Sequence, residues 1–117
     1  MSRAALAFLV LTAGCRFGIA DIPQVPDNPT WENDVTFIME DHCVLCHGSP
    51  AARGAPGHFR LDVYDDVGGA MGAKTMAGSI VMETMKDSMP PSAAWGDGLG
   101  PNAKATLKKW FDNDAPK

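Results

Sequence analysis

The sequence has little that would suit a membrane span or a nucleic-acid surface. The uncharged and mostly apolar run near the start, Ala4 to Gly14, has eleven residues, whereas a helix that crosses a bilayer needs about 20. Basic residues are outnumbered, with 10 Lys and Arg against 14 Asp and Glu, and an acidic chain is poorly suited to nucleic acid. There is no internal repeat. The length of 117 residues therefore predicts a single domain behind a short leader.

Cysteine and histidine are also scarce, with three of each. Two of the cysteines stand in the pentapeptide Cys43-Val44-Leu45-Cys46-His47. A Cys-x-x-Cys pair alone fits a thioredoxin-type redox pair or half of a zinc site. However, zinc would need two further ligands, for which only His42 and His58 remain, and no βαβ pattern supports a redox motif. The histidine directly after the second cysteine instead favours one haem attached covalently through Cys43 and Cys46, with His47 as an axial iron ligand.

Residues 1–20 predict a secretory signal sequence, because Arg3 precedes the apolar run. Gly18-Ile19-Ala20 suits cleavage before Asp21, whereas Thr12-Ala13-Gly14-Cys15 resembles a bacterial lipoprotein signal that is cut before a lipidated Cys15. Lipidation or removal of Cys15 would each account for the odd third cysteine. Both alternatives predict export to the periplasm, and lipidation would add a membrane anchor.

The exported chain is more acidic than the full sequence. From Asp21 onward it has 8 Lys and Arg against 14 Asp and Glu, a net charge of −6, whereas cleavage before Cys15 would keep Arg16 and give −5. An acidic surface favours docking on a basic patch of a partner. We therefore expect redox partner proteins in the cell envelope.

The segment before the haem motif divides into a tether and a helix. Residues 21–29 hold three prolines and predict an extended tether, which leaves residues 30–117 as the domain. A helix is predicted to start near Thr30, with Asn28 or Thr30 as its cap. One face of this helix carries Trp31, Val35, Ile38 and His42 at helical spacing. Its end would deliver Cys43.

The segment after the motif predicts loops and two short helices. Residues 48–57 are rich in turn formers and predict a loop around a flat ligand. Residues 59–67 predict an extended approach followed by a short helix, which Asp62 caps and Gly68 and Gly69 end. A loop over residues 70–78 then precedes a helix from Ser79 to about Lys86, which is stopped by Met89-Pro90-Pro91.

A glycine-containing loop over residues 92–100 leads to a last helix, predicted to begin at Pro101 or Asn102 and to present Ala103, Leu107, Trp110 and Phe111 on one side. Four aromatic residues are expected to pack between helices and against the haem: Trp31, Phe37, Trp110 and Phe111. Arg60, Tyr64 and Trp95 could donate hydrogen bonds to haem propionates, although a surface role fits each of them equally.

The sixth position on iron is predicted to take the thioether of Met89, a soft ligand that raises the reduction potential. The two prolines after Met89 would hold its backbone rigidly. The competing methionines are Met71, Met76, Met82 and Met85, and the last two are expected to pack in the core. His58 is the alternative that would give two histidine ligands, whereas His42 lies too near the tethering cysteines.

These features together resemble class I cytochromes c. The resemblance covers residues 31–114 and depends on the haem pentapeptide, Met89-Pro90-Pro91 and the terminal helix with Leu107, Trp110 and Phe111. More narrowly, Phe59-Arg60-Leu61-Asp62-Val63-Tyr64 and the glycines Gly68, Gly69 and Gly72 look like the planctomycete-type cytochrome c domain. The resemblance implies an all-α fold in which the first and last helices cross and short helices and loops surround the haem, with His47 and Met89 on its opposite faces.

The function that this resemblance implies is transfer of one electron by a mono-haem carrier in the cell envelope, not an enzymatic reaction. Two alternatives stay open. The chain could be the electron-transfer subunit of a larger oxidoreductase, in which the iron chemistry is the same. It could also be a haem enzyme or gas sensor with an open sixth position, for which the sequence offers no persuasive distal histidine and carboxylate pair.

Overall fold

The computed structural model describes residues 21–91 and 98–117. A π-helical turn, Trp31–Val35, leads directly into α1, Thr36–His42, and is followed by α2, Val44–His47, α3, Ala73–Met85, and α4, Pro101–Asp112. Helices make up 45% of this part of the chain and it contains no sheet, so the prediction of an all-α class is confirmed. None of the helices in these ranges is long and apolar enough to cross a membrane.

The first helical segment begins as predicted. Thr30 is extended at its cap position, and its hydroxyl accepts a hydrogen bond from the Asn33 N–H at 3.3 Å, which satisfies one of the free donors of the first turn. Trp31, Val35 and Ile38 are buried, so the predicted apolar face is confirmed. Burial of this face fixes the direction in which the chain enters the haem motif.

The last helix packs against the first. Its predicted start is confirmed, since α4 begins at Pro101, where a proline costs no hydrogen bond. The side chains of Leu107 and Trp110 are fully buried. The Trp110 ring lies 6.2 Å from the Trp31 ring with the planes tilted by 37°, an arrangement that aromatic pairs favour. This contact joins the two ends of the domain.

Residues 21–29, the predicted tether, contain no helix or strand, and both ends of the segment contact the domain. The Asp21 carboxylate accepts hydrogen bonds from the backbone N–H groups of Asn102 and Ala103 at 2.8 and 2.9 Å. It thereby caps α4 from a distance of about 80 residues along the chain, a place where a carboxylate is favoured by the helix dipole. Pro29, at the other end, is fully buried.

The prediction of a short helix within residues 59–67 is wrong, because this segment contains no helix. Phe59 instead forms a parallel bridge with Met71, and Val67 forms an antiparallel bridge with Ala70. Gly68 and Gly69 have φ values of 56° and 81° and make a two-residue turn, a conformation that only glycine adopts without strain. The Asp62 carboxylate, predicted as a cap, accepts a hydrogen bond from the Arg60 Nε at 3.0 Å.

The third helix starts six residues earlier than the sequence predicts, at Ala73 instead of Ser79. Its first two N–H groups donate to the carbonyl oxygens of Val63 and Tyr64 at 2.9 and 3.1 Å. These acceptors lie ten residues away along the chain, so local sequence does not reveal them. The close approach also requires Gly72, because a Cβ there would lie 2.4 Å from the Asp65 carbonyl oxygen.

Four residues predicted to be packed are exposed: Phe37, Met82, Met85 and Phe111. On α3 the core takes the side that carries Ala73, Ala77, Ile80 and Thr84, and the two methionines lie on the opposite side. Phe111 lies over Gly78, where an added Cβ would be 3.4 Å from its ring. The prediction of packing between helices therefore holds for Trp31 and Trp110. It holds in part for Phe111, which covers Gly78 of α3 although 43% of it is exposed, and it gains no support for the exposed Phe37.

Candidate haem-binding site

One cavity lies where the haem motif meets α3 and the segment before Pro91. Between its walls lies about 770 Å³ of empty space, a volume that includes open solvent. The lining is mostly apolar and consists of His42, Cys43, Cys46, His47, Phe59, Leu61, Met76, Ser79, Ile80, Glu83, Thr84, Met89, Pro90 and Pro91. All four residues predicted to bind haem are among them.

The two cysteines reach the cavity because the backbone turns sharply between α1 and α2. The Cys43 carbonyl oxygen accepts hydrogen bonds from the N–H groups of Cys46 and His47 at 3.1 and 2.9 Å. This single turn brings side chains three and four positions apart to the same side. The two thiols do not form a disulfide bond in this structure. Both line the same cavity as His47.

His47 is held with its ring against an aromatic neighbour. The ring stacks on Phe59 at a centroid distance of 4.9 Å, and the His47 carbonyl oxygen accepts a hydrogen bond from the Leu61 N–H at 2.8 Å. Desolvation by burial lowers the pKa of His47, which favours the neutral imidazole that metals bind. Its Nδ1 is buried and has no hydrogen-bond partner among the described residues.

The cysteines are poorly arranged for the two alternative chemistries. Burial, with a smaller contribution from Cys46, raises the pKa of the Cys43 thiol to about 12, whereas a reactive redox cysteine needs a lowered pKa. Within residues 21–91 and 98–117 no group of three or more His, Cys, Asp or Glu side chains could hold a metal ion. The zinc alternative therefore gains no support from this part of the chain.

The methionines separate clearly by position. Met89 and Met76 line the cavity, whereas Met71, Met82 and Met85 lie outside its lining. Met76 packs against the core cluster, while Met89 is 40% exposed. His58 is exposed and packs its ring edge against Phe59, outside the lining, so the arrangement favours Met89 over His58.

The predicted propionate partners are engaged elsewhere or cannot be placed. The Tyr64 hydroxyl donates a hydrogen bond to the Ala115 carbonyl oxygen at 2.7 Å, and Arg60 pairs with Asp62. Neither Tyr64 nor Arg60 lines the cavity. Trp95 lies outside the described residues.

Sequence reasoning missed several residues of the cavity. His42 lines it next to Cys43, and α3 contributes Ser79, Ile80, Glu83 and Thr84 in addition to Met76. Residues 76, 80, 83 and 84 follow the three- and four-residue spacing of one helical face, which was a usable signal. Only the place of Met76 on this face was hidden, because the predicted helix began at Ser79.

The residues present fit a covalently attached haem. The donor set combines two thiols for thioether bonds with an imidazole and a thioether as iron ligands, and the apolar walls suit a flat hydrophobic ring. The buried Nδ1 of His47 is the kind of polar atom that a bound group or its ordered environment would have to compensate. Comparisons of the chain with protein-family models, with curated proteins and with solved structures give no match.

Proposed function

We propose that this protein is a mono-haem c-type cytochrome that carries one electron at a time. The observation that supports this most is the convergence of Cys43, Cys46, His47 and Met89 on one mostly apolar cavity. Met89 lies 42 residues after His47 along the chain, so their meeting is not a local consequence of the motif. Two tethers and two axial ligands are the complete donor set of such a protein.

Cys43 and Cys46 would attach the cofactor. Each thiol would add to one vinyl group of the haem, so that its sulfur would form a thioether bond to one vinyl carbon and its hydrogen would go to the other as the double bond became single. No oxidant is consumed in this addition. The turn between α1 and α2 holds the two sulfurs on one side of the chain, which lets them reach neighbouring vinyl groups.

His47 and Met89 would hold the iron of the haem. The haem, when bound, supplies the Fe(III)/Fe(II) couple. The contribution of the chain is to keep both ligands in place, so that little has to move between the two oxidation states. Phe59 stacks on the His47 ring at 4.9 Å, and Leu61 and Ile80 add apolar surface to the cavity wall.

The proposed fold is that of class I cytochromes c, closest to the planctomycete-type domain. The contact of Trp31 with Trp110 at 6.2 Å supports it, because this contact brings the first and last helices together. The order of elements agrees as well, since the haem motif follows the first helix and the methionine precedes the last.

The proposed location is the periplasm, reached through the leader over residues 1–20, with Cys15 as a possible lipid anchor. These residues lie outside the described part of the chain. The proposed partners are redox proteins of the envelope with a basic docking patch, because the exported chain is acidic. A permanent place in a larger oxidoreductase would use the same site.

The test is covalent attachment. The full chain is produced in a host that exports it and attaches haem, and the purified protein is denatured and extracted with acidified organic solvent. We expect the visible absorption to stay with the polypeptide, whose mass is increased by one haem. The double variant Cys43→Ala, Cys46→Ala should release its colour into the solvent. Release from the unaltered protein would overturn the proposal.

Carrier function is tested on the same protein. Reductive titration should give a one-electron curve, and carbon monoxide should bind slowly to the reduced form, because Met89 occupies the sixth position. Rapid carbon monoxide binding would instead favour the sensor or enzyme alternative. Copurification from the native membrane fraction would distinguish a subunit of a larger complex from a free shuttle.

A further inference from the structure

The chain reverses direction between α3 and Met89 through a defined helix ending. Asp87 adopts a φ of 58°, and its N–H donates to the Thr84 carbonyl oxygen at 3.2 Å. The Ser88 N–H donates to the Glu83 carbonyl oxygen at 3.1 Å. This pair of hydrogen bonds is a Schellman motif, with aspartate at the position usually taken by glycine. It directs Met89 back to the cavity that α3 lines.

Glu83 holds this turn with its backbone and with its side chain. Its carbonyl oxygen also accepts a hydrogen bond from the Met89 N–H at 3.2 Å and faces the Ser88 hydroxyl at 3.0 Å. The same hydroxyl lies in hydrogen-bond contact with the Glu83 carboxylate, whose other oxygen accepts a bond from the Lys86 ammonium at 3.3 Å. The Ser88 hydroxyl has one proton, so at a given moment it donates either to the carbonyl oxygen or to the carboxylate of Glu83.

Packing contributes little to the position of Met89. Asp87, Ser88 and Met89 are all exposed, and Pro90 is the first buried residue after them. A segment with few buried contacts opens locally at low cost unless hydrogen bonds hold it. Besides the ion pair of Asp87 with Lys104 of α4, the bonds to Glu83 therefore restrain the backbone next to the methionine. We call the contacts between Glu83 and Ser88 the Glu83–Ser88 clamp.

We propose that Glu83 and Ser88 are positioning residues for Met89, and that the Glu83–Ser88 clamp sets how readily an outside ligand replaces the Met89 thioether on iron. This inference rests on the proposed function, since it requires Met89 as an axial ligand. With the clamp formed, the methionine backbone stays at the cavity wall and its sulfur faces inward. With the clamp weakened, the exposed segment moves away from the wall and a small nitrogen base reaches the iron.

The test is a titration of the oxidised holoprotein with imidazole. Removal of the hydroxyl in Ser88→Ala should raise the affinity for imidazole roughly fivefold, the scale of one lost hydrogen bond. Glu83→Gln keeps a weaker acceptor and should give a smaller increase. Ser88→Thr keeps the hydroxyl and should restore the affinity of the unaltered protein. Glu32→Gln, at an exposed glutamate of the first helical turn, is the matched control.

A second readout does not involve iron ligation directly. The amide hydrogen of Met89 donates to Glu83, so its exchange with solvent should accelerate several-fold in Ser88→Ala and stay unchanged in Glu32→Gln. Unaltered imidazole affinity and amide exchange in Ser88→Ala, in a protein that shows the Met-to-iron charge-transfer band, would overturn the clamp alone. Absence of that band from the unaltered holoprotein would overturn both the ligand assignment and the clamp.

Discussion

The Tyr64 hydroxyl donates a buried hydrogen bond to the Ala115 carbonyl oxygen at 2.7 Å. The two residues are 51 positions apart, and their bond holds the last residues of the chain against the segment around Tyr64. The Trp110 Nε1 and the Trp31 N–H strengthen the same attachment, because both donate to the Pro116 carbonyl oxygen, at 2.8 and 2.9 Å. The last three residues are therefore part of the domain.

Tyr64→Phe should lower the free energy of unfolding by about 1–3 kcal/mol, because the Ala115 carbonyl oxygen is left buried without its donor. The measurement is chemical denaturation of the holoprotein. The reduction potential should stay unchanged, because Tyr64 does not line the cavity. A shifted potential with unchanged stability would instead indicate that Tyr64 serves a haem propionate.

Met89→Ala should abolish the Met-to-iron charge-transfer band of the oxidised protein and lower the reduction potential, because a thioether stabilises the ferrous state. The matched control is Met76→Leu, which changes the other methionine of the cavity while keeping its volume. We expect Met76→Leu to keep the band. If the band survived in Met89→Ala and vanished in the control, Met76 would be the ligand.

Substitution by valine should change the stability of the protein in opposite directions at two buried threonines, Thr84 and Thr106. The Thr106 hydroxyl is buried and finds no hydrogen-bond partner in the described part of the chain, whereas the Thr84 hydroxyl donates to the Ile80 carbonyl oxygen at 2.7 Å. Thr106→Val removes an uncompensated polar group and should stabilise the protein by about 1 kcal/mol. Thr84→Val loses a made bond and should destabilise it by a similar amount.

Thermal denaturation of both variants at one pH checks this pair. Valine and threonine have nearly the same volume and helix propensity, so the comparison isolates the hydroxyl. Destabilisation by Thr106→Val would show that its hydroxyl has a partner, such as an ordered water or a group outside the described residues.

Stability should fall in acid partly through Asp66. Hydrogen bonds from the backbone N–H of Gly72 and, to a lesser extent, from the Thr75 hydroxyl hold the pKa of Asp66 below the ordinary value of an aspartate. A carboxyl whose pKa is lower in the folded state stabilises the protein above its unfolded pKa, and this contribution is lost as the pH falls through the folded value. Asp66→Asn should therefore flatten the stability profile below about pH 4.

The check is a series of denaturation curves between neutral pH and the acid limit of the folded protein. Asp65→Asn is the matched control, since Asp65 is an exposed neighbour whose contact is a surface pair with Lys117 at 3.3 Å. An equal flattening in both variants would show that general charge repulsion, and not the bonds to Gly72 and Thr75, causes the acid loss.

The sequence alone determined the features that depend on short-range chemistry. The apolar spacing of Trp31, Val35 and Ile38 identified the first helix, and Thr30 and Pro101 marked two helix starts, because caps and periodicity act within a few residues. For the same reason, the pentapeptide motif identified three of the predicted site residues, Cys43, Cys46 and His47. The sequence also singled out Met89 among seven methionines as the predicted ligand, because the two prolines directly after it would hold its backbone rigidly.

Only the tertiary structure decided the features whose partners are distant along the chain. The start of α3 depends on the carbonyl oxygens of Val63 and Tyr64, and the cap of α4 is supplied by Asp21. The exposure of Met82 and Met85 depends on which side of α3 meets the core. The hydrogen bonds from the Ser88 and Met89 N–H groups to the Glu83 carbonyl oxygen likewise depend on the folded turn, because they need the left-handed backbone at Asp87. Hydrogen bonds and packing contacts between residues so far apart form only when the whole chain has folded, which is why no local sequence pattern predicted them.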